Sequence, residues 1–120
     1  MEYSLSNADQ RLLSIVWEAQ PIPSPALCKL ALERLGWKRT TTYTVLRRLC
    51  DKGILQNQDT VVTALVEQQQ VQQAQGRQVL EQNFSGSLPQ FVAAFLNSGS
   101  LSEQEAREIQ RMLDDYRKRI

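Results

Sequence analysis

The stretch Trp37–Leu55, which reads WKRTTTYTVLRRLCDKGIL, carries the clearest structural pattern in the sequence. Val45, Leu46 and Leu49 recur at helical spacing and predict one buried stripe, which Thr42 extends toward the N-terminus. The opposite side of the same helix then holds hydroxyl and charged side chains, namely Thr41, Thr44, Arg47, Arg48 and Asp51. The stretch therefore predicts an amphipathic helix with a hydroxyl-rich, basic outer face, ended by Gly53.

Two further helices are predicted before this stretch. Ser6 or Asn7 is suited to cap the first, because short polar side chains accept hydrogen bonds from the free N–H groups of a first helical turn. Apolar residues then follow at helical spacing, at Leu12, Leu13, Val16 and Trp17. Proline residues end this helix, at Pro21, Pro23 and Pro25. Ser24 is predicted to cap the second helix, which runs to Leu35 and stops before Gly36.

A short β-hairpin is predicted after the third helix. Thr60–Thr63 is a β-branched run typical of a strand, and Asn57–Asp59 supplies the polar residues typical of the turn before it. Three helices followed by such a hairpin, or wing, indicate a winged helix-turn-helix DNA-binding domain, which we assign to residues 1–66. The predicted fold class is mostly α with a small β wing.

Residues 67–120 are predicted to form a linker helix and a helical dimerisation segment. Eight of the sixteen residues 67–82 are glutamine. A solvated helix is one interpretation of this segment, and a disordered tract is the alternative; the inward residues of the helix would be Val71, Ala74, Val79 and Leu80. A short apolar helix follows at Leu88–Leu96, and Ser102 with Glu105 forms the capping box of a last amphipathic helix.

The last two helices have much apolar surface and no evident partner within their own chain. Contiguous apolar surface of this kind marks an interaction face, and most oligomers are symmetric assemblies of one chain. We therefore predict a homodimer. Its predicted interface residues are Phe91, Phe95, Leu96, Ile109, Met112, Leu113 and Tyr116.

The composition argues against an enzyme. The 120 residues are 42% hydrophobic and 22% charged, as in an ordinary folded domain, but they include no histidine. Histidine is the commonest general base and metal ligand, and the sequence also lacks the glycine patterns of nucleotide-binding loops and the HExxH motif. We predict no catalytic residue, no metal site and no cofactor.

The cysteine and hydropathy patterns indicate a cytoplasmic protein. Cys28 and Cys50 stand far apart without a CxxC motif, so two free thiols are expected; one disulfide in a secreted chain is the alternative. No stretch approaches 18 consecutive apolar residues, so no membrane insertion is predicted.

The positive charge is concentrated in one helix. The formal net charge is only +1, yet Lys38–Lys52 holds five basic residues and one acidic residue. A basic helix with threonine hydroxyls near its N-terminus suits the phosphates and base edges of a DNA major groove. This pattern predicts double-stranded DNA contacts by Lys38, Arg39, Thr40, Thr41, Thr44, Arg47 and Arg48.

Two alternatives to DNA binding remain open at this point. The basic residues could form a merely solvated helix face. A winged helix could also bind another protein, with the glutamine-rich helix and the apolar C-terminal helices as its contact surface.

In the order and spacing of these motifs, the sequence resembles the penicillinase repressor family, the BlaI/MecI/CopY-like winged-helix regulators. The resemblance covers residues 5–118 and is most specific in Trp37–Leu55. It also rests on four shorter segments: Ser6-Asn7-Ala8-Asp9, Val16-Trp17, Phe91–Leu96, and Leu101-Ser102 with Glu105.

The resemblance implies a dimeric repressor that binds a palindromic operator and controls genes for β-lactam resistance or copper export. By position it implies DNA contacts at Arg39, Thr40, Thr41, Tyr43, Thr44 and Arg48. In the β-lactam branch, a membrane sensor-protease signals release by cutting the repressor at an Asn-Phe bond in the penultimate helix. The matching position here is Ala94-Phe95.

The sequence departs from the family pattern in three places. Gln56–Val66, the predicted wing, has no basic residue, which argues against phosphate contacts there. The cysteine-rich tail of the copper branch has no counterpart up to Ile120, so copper sensing is not expected. Ala94 stands where the β-lactam branch has asparagine, which leaves cleavage at this bond open.

Overall fold

The computed structural model describes residues 3–120, which form six α-helices and three short β-strands. The helices are α1 (Asn7–Ala19), α2 (Ser24–Leu35), α3 (Arg39–Asp51), α4 (Gln68–Asn83), α5 (Leu88–Asn97) and α6 (Glu103–Arg119). The strands are β1 (Ile22–Pro23), β2 (Leu55–Gln58) and β3 (Val61–Ala64). The chain divides into two compact units, the first ending at Gly76 and the second running from Arg77 to Ile120. The predicted class, mostly α with a small sheet, is confirmed.

A capping box begins α1. The Ser6 hydroxyl accepts a hydrogen bond from the backbone N–H of Asp9 at 3.1 Å, and the Asp9 carboxylate accepts one from the Ser6 N–H at 3.0 Å. Two N–H groups that the helix itself leaves without partners are thereby satisfied. Ser6 is therefore the cap that the sequence left undecided between Ser6 and Asn7.

Ser24 does not cap α2, contrary to the sequence prediction. Pro23 occupies the cap position, and Ser24 is already inside the helix and buried. Its backbone N–H donates to the carbonyl of Thr60 at 2.7 Å, and its hydroxyl lies 3.3 Å from the hydroxyl of Tyr43. Ser24 instead joins α2 to the wing and to α3.

The three strands form one antiparallel sheet in the order β1-β3-β2. The hairpin turn lies at Asp59 and Thr60, both with positive φ angles of 52° and 64°. The predicted turn at Asn57–Asp59 and strand start at Thr60 are therefore wrong: Asn57 belongs to β2, and Thr60 belongs to the turn. A two-residue turn of this kind needs left-handed backbone at both central positions. The sequence prediction also missed β1, a strand of only two residues.

The core of the first unit joins the three N-terminal helices to the sheet. Its fully buried side chains include Leu12, Leu13, Leu27, Leu49 and Val62. The half-buried ring of Trp17 packs against this core, and its indole N–H donates to the carbonyl of Val66 at 3.0 Å. The core presents α3 with one side buried and the other in solvent.

The glutamine-rich segment is helical and forms α4. Val71 is buried as predicted, whereas Val79, also predicted to face inward, is 43% exposed. Both cysteines are free thiols. Within residues 3–120, no helix combines the length and the apolar character needed to cross a membrane.

Candidate nucleic-acid interface

The outer face of α3 carries most of the predicted DNA-binding residues. Thr42, Val45, Leu46 and Leu49 are buried and form the inner side of the helix. Six of the eight predicted residues are exposed: Lys38, Arg39, Thr40, Thr41, Thr44 and Arg47. The other two, Tyr43 and Arg48, are half-buried.

The N-terminus of α3 is electropositive. Lys38 is the cap residue and its side chain makes no capping hydrogen bond. The free N–H groups of the first turn therefore add the positive end of the helix dipole to the charges of Lys38 and Arg39. This arrangement suits an anionic partner such as a phosphate.

Some threonine hydroxyls of α3 are buried or hydrogen-bonded within the helix, and others are free to bind an external partner. Thr44 donates its hydroxyl proton to the carbonyl of Thr40 at 2.9 Å, and Thr42 is buried. The hydroxyls of Thr40 and Thr41 make no hydrogen bond to any residue within 3–120. Both therefore remain available to an external partner at the start of the helix.

The ring of Tyr43 contacts the guanidinium of Arg39. The guanidinium carbon of Arg39 lies 5.5 Å from the centre of the Tyr43 ring, a cation–π distance. The half-buried ring is itself held by its hydroxyl contact with Ser24. Tyr43 thus orders Arg39 at the start of the outer face.

Arg48 is tied to α1 by a buried carboxylate. Its Nε and Nη2 atoms donate to Asp9 Oδ1 at 2.9 and 2.6 Å. Lys52 Nζ donates to Asp9 Oδ2 at 3.1 Å and to the carbonyl of Ser4 at 2.6 Å. Burial alone would raise the pKa of Asp9, but the hydrogen bonds from Arg48, the Ser6 backbone and Lys52 outweigh it. The pKa therefore lies below its usual value of 3.8.

Sequence reasoning missed Asp9 as part of this site. A signal was nevertheless present, because Asp9 falls three and four residues before Leu12 and Leu13, on the buried stripe of α1. A carboxylate on an apolar stripe needs a cationic partner, although its spacing cannot say which one.

The wing offers little to a phosphate backbone. Gln56–Val66 contains Asp59 as its one charged residue, and Asp59 is exposed at the turn. The side chain of Gln56 donates to that of Gln58 at 2.6 Å. The cationic surface of this site therefore belongs to α3 rather than to the wing.

The predicted dimer residues lie on α5 and α6 in the second unit, and all are exposed. Phe91, at 36%, is the least exposed, and Met112, at 68%, the most. The others are Phe95, Leu96, Ile109, Leu113 and Tyr116. Neither α5 nor α6 has a buried residue.

Comparisons with known proteins agree with this architecture. A family model described as penicillinase repressor matches residues 5–115. The penicillinase repressor of Bacillus licheniformis is 24% identical over 119 residues, which cover 96% of this chain and 93% of that protein.

A solved structure has a similar fold. The solution structure of the DNA binding domain of the repressor BlaI aligns with a TM-score of 0.51 and 23% identity. The alignment covers 57% of this chain and 90% of that domain, and it confirms the predicted winged-helix fold. Because the family model spans nearly the whole sequence, the chain belongs to the penicillinase repressor family.

Proposed function

We propose that the protein is a transcriptional repressor that binds a palindromic DNA operator as a homodimer, with α3 in the major groove. The outer face of α3 carries this proposal, because it combines free N–H groups, available hydroxyls and exposed cations on one helix. A major groove admits an α-helix, threonine can bind phosphates or base edges, and arginine suits phosphate or guanine. Membership of a repressor family supports the same conclusion.

The apolar faces of α5 and α6 support the dimer. Large apolar side chains on both helices are exposed in a single chain, and a second copy would cover them. A twofold dimer would present two α3 helices to successive major grooves, about 34 Å apart. The operator would then share the symmetry of the protein.

We also propose that cleavage between Ala94 and Phe95 inactivates the repressor, within a signalling system for β-lactam resistance that includes a membrane sensor-protease. Both residues are exposed in the interior of α5. A protease binds extended backbone, so α5 must open locally before the bond can be cut. Induction in cells should yield one new fragment beginning at Phe95, measured by mass spectrometry. An intact chain after derepression would contradict this part of the proposal.

Operator binding is tested with a duplex that the protein itself selects from a random pool. Affinity for this duplex should fall steeply as salt rises, because each neutralised phosphate releases counterions. Arg47→Ala should weaken binding and reduce the salt slope by about 0.9 for each protomer. Arg11→Ala is the matched control, because Arg11 is also exposed but lines the groove between α1 and α2.

A protein that selects no duplex and is not retained on random DNA at low salt would contradict the proposed function. The rival, a winged helix that binds only protein, predicts that outcome. Equal effects of Arg47→Ala and Arg11→Ala would instead show that binding does not use the outer face of α3.

A further inference from the structure

One buried carboxylate pairs with two cations at the C-terminal end of α3. Asp9 is fully buried, and its two oxygens receive hydrogen bonds from Arg48, Lys52 and the Ser6 backbone. Arg48 and Lys52 keep 42% and 33% of their side chains exposed. The cluster of Asp9, Arg48 and Lys52 therefore has a buried anionic centre and a solvent-exposed cationic edge, with one net positive charge.

The guanidinium of Arg48 is held by one edge only. Its Nε and Nη2 atoms face Asp9, and Nη2 also lies 3.4 Å from the Ser6 hydroxyl. Nη1 makes no hydrogen bond to any residue within 3–120. Arg48 also lies on the same helical face as Thr41 and Thr44, which are seven and four residues before it. The free donor therefore belongs to the surface that would face DNA.

We infer that Asp9 is a positioning residue for DNA binding, which orients Arg48 so that its Nη1 atom donates to a DNA phosphate. This inference rests on the proposed function of α3. A guanidinium that is already ordered loses less side-chain freedom when the phosphate arrives, so more of the contact energy appears as affinity. Asp9 does not touch DNA in this arrangement.

Positioning and simple neutralisation predict opposite results. If Asp9 only cancels positive charge, its removal frees two cations and strengthens DNA binding of every kind. If Asp9 positions Arg48, its removal weakens binding to the selected duplex even though the protein becomes more cationic. The direction of the change therefore separates the two roles.

The test compares Asp9→Asn with Glu18→Gln in the full-length protein. Both substitutions remove one negative charge from α1, but Glu18 pairs with Arg34 on α2 rather than with a residue of α3. We expect Asp9→Asn to bind the selected duplex about tenfold more weakly than Glu18→Gln, since two arginines per dimer lose their order. Affinity for an unselected duplex should not fall, and the salt slope for the selected duplex should decrease.

The inference would be overturned if Asp9→Asn bound the selected duplex as tightly as Glu18→Gln, or with a steeper salt slope.

Arg48→Lys gives a second test if Asp9→Asn does not fold. Lysine keeps the charge, but its single nitrogen cannot occupy both the position of Nη2, which is held by Asp9, and the position of Nη1, which would reach the phosphate. We expect Arg48→Lys to lose as much affinity as Arg48→Ala; parent-like binding by Arg48→Lys would also overturn the inference. Failure of the parent protein to bind any duplex would contradict the proposed function instead.

Discussion

Asp9 shows how a single residue can combine a local and a distant role. Its backbone and side chain complete the capping box of α1. Its carboxylate binds Arg48 on α3 and Lys52, the C-cap residue of α3, across 39 and 43 residues of sequence. Hydrogen bonds to a charged group contribute about 1.5–3 kcal/mol each, and an unpaired buried carboxylate would be strongly unfavourable. The two cations are thus structural partners of α1, and Arg48 is also a candidate DNA contact.

The depressed pKa of Asp9 predicts acid sensitivity. The unfolded chain takes up a proton at Asp9 at higher pH than the folded protein does. The stabilisation is therefore complete above the ordinary pKa of 3.8 and is lost as pH falls through the lower pKa of the folded state. We expect the difference in unfolding free energy between the parent and Asp9→Asn to be largest near neutral pH and to shrink below about pH 4. Urea denaturation across this range measures it, and a difference that does not change with pH would contradict the prediction.

At the scale of the element, α4 differs from the other helices in the absence of a strong apolar stripe. Val71 is its one fully buried residue, and Gly76 lies in its interior at the boundary between the two compact units. Glycine weakens a helix interior by about 1 kcal/mol relative to alanine. The part of α4 near Gly76 is therefore stabilised by little burial of its own side chains.

Gly76→Ala should stabilise α4. A Cβ atom at this position would meet nothing within 4 Å, so the substitution adds helix propensity without a clash. We expect the free energy of unfolding α4 to rise by about 0.5–1 kcal/mol. Amide exchange in residues 68–83 should then be slower, which hydrogen-exchange measurements would show.

Gly36→Ala is the matched control for that substitution. A Cβ atom at Gly36 also meets nothing within 4 Å, but its φ of +70° is left-handed. Alanine there should destabilise the protein by about 1–2 kcal/mol. If both substitutions changed the stability in the same direction, backbone conformation would not explain their effects.

At the scale of the whole molecule, the proposed repressor requires two copies of the chain. The first unit has a continuous core, whereas α5 and α6 have no buried residue in the single chain. The ring contact between Phe84 and Phe91, with centroids 5.2 Å apart, still leaves Phe91 more than one-third exposed. Apolar surface of this extent is the physical reason to expect association.

Charged residues on the apolar stripe of α6 should produce monomers. The double substitution Leu113→Glu with Tyr116→Lys leaves the net charge unchanged and places charges where a partner would pack. We expect a monomer at micromolar concentration by analytical ultracentrifugation, and weaker binding to the selected duplex. Arg111→Glu with Asp115→Lys changes the opposite side of α6 and should remain dimeric. A dimer that survives the first pair of substitutions would refute this interface.

The helices were predictable because their signals are local. Stripes such as Val45, Leu46 and Leu49, and caps such as Ser6 and Ser102, depend on residues within one or two turns. The wing was predicted as a hairpin, but its turn was misplaced because Thr60, a β-branched residue typical of strands, adopts the left-handed backbone of the second turn position.

The amino-acid sequence by itself determined that α3 is an amphipathic helix with a basic, hydroxyl-rich outer face, since periodicity and charge are properties of neighbouring residues. Only the tertiary structure decided which of its cations are free and which are held. Arg47 is exposed, whereas Arg48 is joined to Asp9, a residue that is distant in the chain. The physical reason is that a buried carboxylate must be paired, and its partner is chosen by the packing of α1 against α3 rather than by either helix alone.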